Sequence, residues 1–95
     1  MDSSRPLDAL NNSRGKRVLV DLKNGSRYVG KLNAFDIHIN TVLDEAEEYE
    51  LNNKKVTTQV DEKTTEEIVV SEMKLKRKLG TVFIRGDAIT NISVQ

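Results

Sequence analysis

Arg17-Val18-Leu19-Val20-Asp21-Leu22-Lys23-Asn24-Gly25-Ser26-Arg27-Tyr28-Val29-Gly30-Lys31-Leu32 opens on strict alternation and then breaks on one decisive dipeptide. Val18, Val20 and Leu22 fall two residues apart, the period of a strand with one buried face. Asn24-Gly25 is the strongest short-range hairpin signal, because a tight turn between strands needs a left-handed backbone that these residues tolerate. The spacing predicts a strand over 17–22 and a return strand over 27–36. On the return strand Tyr28, Leu32 and Ala34 take one face and Val29 and Phe35 the other. Gly30 inside it predicts a bend or bulge, where a small sheet must curve strongly.

Working towards the C-terminus, Ala34-Phe35-Asp36-Ile37-His38-Ile39-Asn40-Thr41-Val42-Leu43 keeps alternating. An extended chain here would bury Phe35, Ile37 and Ile39 and present Asp36, His38 and Asn40 together. Residues 40–50 read as a third strand, acidic towards its far end. Residues 51–65 are polar, with a weak strand signal at 56–60. Further on, Lys74, Lys76 and Lys78 alternate with Met73, Leu75 and Leu79, which favours a strand over a helix. Residues 51–78 are therefore read as the long arms and tip of a hairpin. Residues 81–85 form a short strand, Gly86-Asp87 a turn, and 88–94 a last strand. Towards the N-terminus, Pro6 suits a first helical position, Leu7 and Leu10 share a helix face, and 11–15 stop the helix with turn residues. The expected fold class is mainly β: a short helix, then a strongly bent five-stranded antiparallel sheet forming a small open barrel. Such a sheet leaves two edges with unpaired backbone groups. The apolar runs at 81–84 and 89–92 would pair with a neighbour, and head-to-tail pairing that closes makes a ring.

The 95 residues allow one small domain, with aromatics at 4% and therefore an aliphatic core. Cysteine is absent, which excludes disulfides and thiolate metal sites. One histidine disfavours a histidine-built zinc site, so no metal and no cofactor is expected. No apolar run approaches a membrane span or a signal peptide, and the expected location is cytoplasmic, with no membrane partner. Net charge is zero, with 15 basic and 15 acidic residues, yet the charges are segregated. Residues 1–35 hold seven Lys/Arg against three Asp/Glu, 36–50 hold six acids and no Lys/Arg, and 73–78 hold four bases and no acid. A neutral total can thus carry a local positive surface.

An imidazole beside a carboxamide suits a flat, hydrogen-bonding ligand, since the ring can stack and the amide both donates and accepts. His38 and Asn40 supply that pair, and Ile84-Arg85-Gly86-Asp87-Ala88-Ile89 is placed to complete the site. Each residue taken singly has a plainer reading. His38 alone is a surface histidine, Asn40 caps a turn, Arg85-Gly86-Asp87 is a tight turn, and Met73 and Leu75 are packing.

Taken together, the residues resemble a known family. Arg17 to Glu48 resembles the first Sm motif of the Sm and Sm-like (LSm) proteins, in Leu22-x-x-Gly25, Gly30-x-Leu32, Phe35-Asp36-x-His38-x-Asn40 and Val42-Leu43-Asp44-Glu45-Ala46-Glu47-Glu48. Leu79-Gly80-Thr81-Val82-Phe83-Ile84-Arg85-Gly86-Asp87-x-Ile89 resembles the second. The pattern is most similar to archaeal Sm-like proteins. The resemblance implies a single Sm domain over 1–95, with the helix region at 5–13, the first motif at 17–50, a long variable hairpin at 51–78 and the second motif at 79–94. It implies a homo-oligomeric ring, most commonly a heptamer, that binds uridine-rich single-stranded RNA at its inner rim, one base per subunit. Proteins of RNA processing would be further partners.

The resemblance also assigns roles. His38 and Arg85 would stack on the two faces of a uracil. Asn40 would read the base edge, Asp87 would accept from Asn40 and fix its amide, and Gly86 would let the backbone approach the base. Asp36 and Arg5 are candidate secondary RNA contacts, as are Lys74, Lys76, Arg77 and Lys78. The 51–78 segment is longer than in short archaeal relatives, and it either lengthens both strands, projects from one ring face or is disordered. An enzyme is the first rival reading, but there is no nucleophile elbow, P-loop or metal cluster in the sequence. The second is a structural ring or protein-interaction scaffold, with the acidic 44–50 patch and the hairpin as working surfaces and little RNA specificity.

Overall fold

In a computed structural model, residues 5–59 and 65–95 are described. Helix α1 is Pro6–Asn11, with Pro6 in its first turn and Arg5 as the extended residue before it. Strands follow at Arg17–Leu22 (β1), Ser26–Phe35 (β2), Thr41–Gln59 (β3), Thr65–Lys78 (β4), Val82–Ile84 (β5) and Ile89–Val94 (β6). The lateral order is β4-β3-β2-β1-β6, with β5 also on β3, and every pairing is antiparallel. β4 and β5 lie in succession along the same side of β3. Between them the Leu79 N–H still donates to the Ala46 carbonyl, and the Ala46 N–H to the Gly80 carbonyl. The expected five strands are therefore present laterally, with the fourth broken at residues 79–81.

The β1–β2 turn forms as its dipeptide dictates. Gly25 takes φ +90°, and the Asn24 side chain accepts from the Ser26 N–H at 2.9 Å. Gly30 marks the expected bend. Between the pairs Val29–Glu47 and Lys31–Asp44, β3 spends one more residue than β2, and Glu45 absorbs it at φ +50°. A Cβ on Gly30 would stand 2.9 Å from the Asp44 carbonyl oxygen, so only glycine lets β2 pass the bulge. Asp44 then ties the bend down. Its carboxylate accepts from Asn33 Nδ2 at 2.7 Å and from Thr81 Oγ1 at 2.9 Å, joining β2, β3 and the break before β5.

The bent sheet closes around Val18, Val20, Leu32, Leu43, Ala46 and Ile84, with Leu10, Tyr28 and Phe35 among those packed on them. This corrects the expected division of β2. Phe35 shares the core with Tyr28 and Leu32, because a second register shift between Leu32 and Ala34 turns the strand over. Leu7 and Leu10 do not share a buried face. Leu10 packs on the core, whereas Leu7 is exposed.

Residues 51–78 lengthen both strands. β3 runs nine residues beyond Glu50, and its register with β4 is unbroken from Tyr49–Leu75 out to Gln59–Thr65. The expected tip falls at 60–64, outside the described residues. At the hairpin base, Glu48 is buried at 4% exposure and accepts from Arg77 Nε at 2.6 Å. Burial first, and Glu48 second, push the Tyr28 phenol above its ordinary range. Arg77, and Lys76 at 3.8 Å from Glu50, are thus committed to acids within the hairpin.

Candidate functional site

β2 ends at Phe35 and β3 starts at Thr41, and the five residues between them make the site's first half. They are not extended, which corrects the alternation expected for 34–43. Asp36 folds them into a turn. Its Oδ1 accepts the backbone N–H groups of His38 at 2.9 Å and Asn40 at 3.1 Å, and its Oδ2 accepts Asn40 Nδ2 at 3.0 Å. An Asp side chain that captures N–H groups beyond it replaces the strand ladder with a local turn. The backbone closes the same loop, since Asp36 N–H donates to the Asn40 carbonyl at 3.1 Å and Ile39 N–H to the Asp36 carbonyl at 3.0 Å.

Two consequences follow for the isoleucines. Ile37 lies at the loop apex, 75% exposed, rather than on a buried face. Ile39 is forced to φ +61°, an uncommon conformation for a β-branched residue, with a strain of about 1–3 kcal/mol. Thr41, buried at the start of β3, donates its hydroxyl to the Ile39 carbonyl at 2.7 Å and helps hold that conformation.

The second half arrives on β5 and the 3₁₀ turn Gly86–Ala88. The Gly86 N–H donates to Asn40 Oδ1 at 2.8 Å. A Cβ on Gly86 would overlap the His38 carbonyl oxygen and lie 2.8 Å from the carbonyl carbon of Ile39. The glycine thus serves close approach of the 38–39 peptide. Arg85 and Asp87 flank it, joined at 2.9 Å and both largely exposed. His38 is exposed beside them.

Five of the sequence-predicted residues therefore meet. His38, Asn40, Arg85, Gly86 and Asp87 line one open groove. Asp36 stands at its back, lining an adjoining hollow with Phe35, Asn40, Phe83 and Arg85. The role expected for Asp87 is corrected: it pairs with Arg85, and Asp36 accepts from the Asn40 amide instead. Arg5 is not brought to this groove. It pairs with Asp8 at 3.1 Å on the exposed side of α1. Ile39, Thr41 and Phe83 belong to the site and were not singled out by sequence. The Asp-then-Asn spacing over four residues was the available signal for the turn.

The Asn40 side chain is consequently oriented. Its oxygen faces an N–H donor and its nitrogen faces a carboxylate, which leaves one lone pair and one N–H for a ligand. The hydrogen bond from Asn40, together with those from the His38 and Asn40 backbone, holds the Asp36 carboxyl below its ordinary pKa, so it is an acceptor at neutral pH. Among the described residues no group of three His, Asp or Glu side chains is placed to hold a metal ion. Among them, too, no helix is long and apolar enough to cross a membrane.

Comparison with known proteins bears on this geometry. A family model described as the LSM domain matches residues 8–94. An Sm-like protein of Archaeoglobus fulgidus is 38% identical over 89 residues, which cover 94% of this chain and 88% of that protein. The Sm-like protein LSM3B of Arabidopsis thaliana is 36% identical over 88 residues, covering 93% and 82%. Among solved structures, a Pyrococcus abyssii Sm protein in complex with a uridine heptamer is similar at TM-score 0.68 and 32% identity, covering 97% of this chain and 100% of that one. A heptameric archaeal Sm protein is similar at TM-score 0.61 and 29% identity, covering 92% and 96%.

Proposed function

The chain belongs to the LSM domain family, and on that premise we propose that it binds uridine-rich single-stranded RNA as one subunit of a homo-heptameric ring. It acts in RNA metabolism as a chaperone or ribonucleoprotein scaffold, without catalysing a reaction. The similar structures support both parts, one being a heptamer and another a complex with a uridine heptamer.

The observation that carries the reading is the pinned amide of Asn40. Uracil offers an N–H donor beside carbonyl acceptors, whereas cytosine offers an acceptor nitrogen beside an amino donor. A freely rotating carboxamide serves either pattern by flipping. Here a flip would aim the amide oxygen at the Asp36 carboxylate and the amide nitrogen at the Gly86 N–H. Two hydrogen bonds would become two repulsions, so the side chain stays in one orientation and selects one pattern. The exposed His38 ring and Arg85 guanidinium supply planar groups for stacking on either side of the base. Arg85 is joined to Asp87 at 2.9 Å, so its guanidinium serves a base by stacking rather than by adding a net positive charge at the rim.

Ring closure has a physical basis in the sheet. Among the described residues its order leaves β4, β5 and β6 each with an open outer side, and Phe83 on β5 is 80% exposed. Edges of this kind pair with a neighbour.

The test is equilibrium binding of seven-nucleotide uridine and cytidine oligomers to wild type and Asn40→Ala at two salt concentrations. Wild type is expected to prefer uridine, and Asn40→Ala to lose the preference while stacking retains part of the affinity. Equal, weak and strongly salt-dependent binding of both oligomers overturns base selection and leaves only phosphate attraction. No binding by an intact oligomer puts the scaffold reading in its place.

A further inference from the structure

Thr41 sits where the two halves of the groove meet. It is the register partner of Phe35 on β2 and of Ile84 on β5. The 36–40 loop follows Phe35, and Arg85, Gly86 and Asp87 follow Ile84. The Thr41 side chain is fully buried, at 1% exposure. Valine would fill the same shape there, and a buried hydroxyl costs free energy unless it is hydrogen-bonded. The use of this hydroxyl lies in its bond, the 2.7 Å donation to the Ile39 carbonyl.

That bond acts on one peptide unit. The peptide joining Ile39 to Asn40 has its oxygen held by Thr41 and its N–H held by Asp36 Oδ1 at 3.1 Å. Its carbonyl carbon is the atom that a Cβ on Gly86 would meet at 2.8 Å. The Asn40 side chain hangs from the far end of the same unit, and its Oδ1 has to reach the Gly86 N–H at 2.8 Å. Ile39 allows this arrangement only at φ +61°, and a strained backbone persists only where its surroundings over-determine it. Asp36 is exposed and holds the unit from the solvent side, whereas Thr41 holds it from the buried side.

We propose that the Thr41 hydroxyl is a positioning group for base selection. It fixes the 39–40 peptide, and through it the Asn40 amide that distinguishes uridine from cytidine. Being buried, Thr41 does not meet the ligand and acts only through Asn40. The choice of base rests on the function proposed above; the fixing of Asn40 against Gly86 does not.

The test compares wild type with Thr41→Val, which keeps the buried shape and removes the donor, and with Thr41→Ser, which keeps the donor. The first measurement is hydrogen exchange of the Gly86 N–H, followed by NMR without RNA. It is read against the Leu79 N–H, which donates to the Ala46 carbonyl away from the loop. Thr41→Val should speed Gly86 exchange relative to Leu79 about two- to tenfold, the worth of one hydrogen bond, and Thr41→Ser should keep the wild-type ratio. The second measurement is the ratio of affinities for the uridine and cytidine oligomers. A merely structural role changes the folded fraction, which cancels in this ratio. Thr41→Val should lower it by a similar factor, and Thr41→Ser should preserve it. Unchanged Gly86 exchange in Thr41→Val, or an unchanged affinity ratio where wild type prefers uridine, overturns the proposal. A wild type without preference refutes the uridine reading itself, and Thr41 as the group that fixes Asn40 then stands or falls on the exchange alone.

Discussion

Replacing Gly86 by alanine probes the whole site through one methyl group. The three atoms nearest to the added carbon are the carbonyl oxygen and carbon of His38 and the carbonyl carbon of Ile39, all of them backbone. No side chain can swing aside, so the β5–β6 connection and the 36–40 loop must move apart. Overpacking of this kind costs about 1–3 kcal/mol. For a domain of this size each kcal/mol lowers Tm by about 4–8 °C, so a fall of about 5–20 °C is expected at fixed protein concentration. The same movement stretches the 2.8 Å bond from Gly86 to Asn40 and frees the amide to flip. Uridine affinity should fall about tenfold or more, since 1.4 kcal/mol is one decade, and the preference over cytidine should shrink with it. Thermal unfolding followed by circular dichroism, with fluorescence anisotropy of labelled oligomers, reads both effects. An unchanged Tm together with unchanged base preference would refute the account of Gly86 as a spacer that orients Asn40.

Two further outcomes follow from the same loop. Asp36 has a folded pKa below its ordinary 3.8, so its contribution is complete above that value and is lost as pH falls through the folded pKa. Asp36→Asn should flatten this acid dependence below about pH 4 and weaken the uridine preference at neutral pH; an acid limb identical to wild type counts against the Asp36 turn. Ile39→Asn places a residue that tolerates positive φ where Ile39 is strained, and should raise Tm by a few degrees. A fall in Tm would mean that packing of the Ile39 side chain outweighs its backbone strain.

The parts of the fold that were legible in the sequence are those where one residue type has one physical use. Asn24-Gly25 specified a turn, Gly30 a bend, and Pro6 a helix start. The long hairpin was legible through the alternation of Lys74, Lys76 and Lys78, although residues 51–59 carried too few apolar side chains to define a buried face. The 36–40 loop was misread because a period of two looks the same whether the backbone ladder or the Asp36 side chain takes up the N–H groups. Only the second puts Ile37 in solvent and Ile39 at positive φ. Bulges were the other source of error, since a register shift past Leu32 moves Phe35 to the opposite face without any mark in the pattern. The groove residues were found as a set because two short stretches carried them. Their internal wiring, with Asp36 rather than Asp87 on the amide, follows from the turn that Asp36 folds, which a pattern of alternating residues does not mark.

The hydrogen bond from Gly86 to Asn40 spans 46 residues of chain. The loop at 36–40 can take its shape early, from its own local bonds, but the amide within it has only one of its two anchors until the last strands arrive. In a subunit whose C-terminal part has come loose, the Asn40 amide keeps only its bond to Asp36, and under the function proposed above its choice between pyrimidines would weaken. On that proposal, the groove would respond to the integrity of the subunit as well as to the base in front of it.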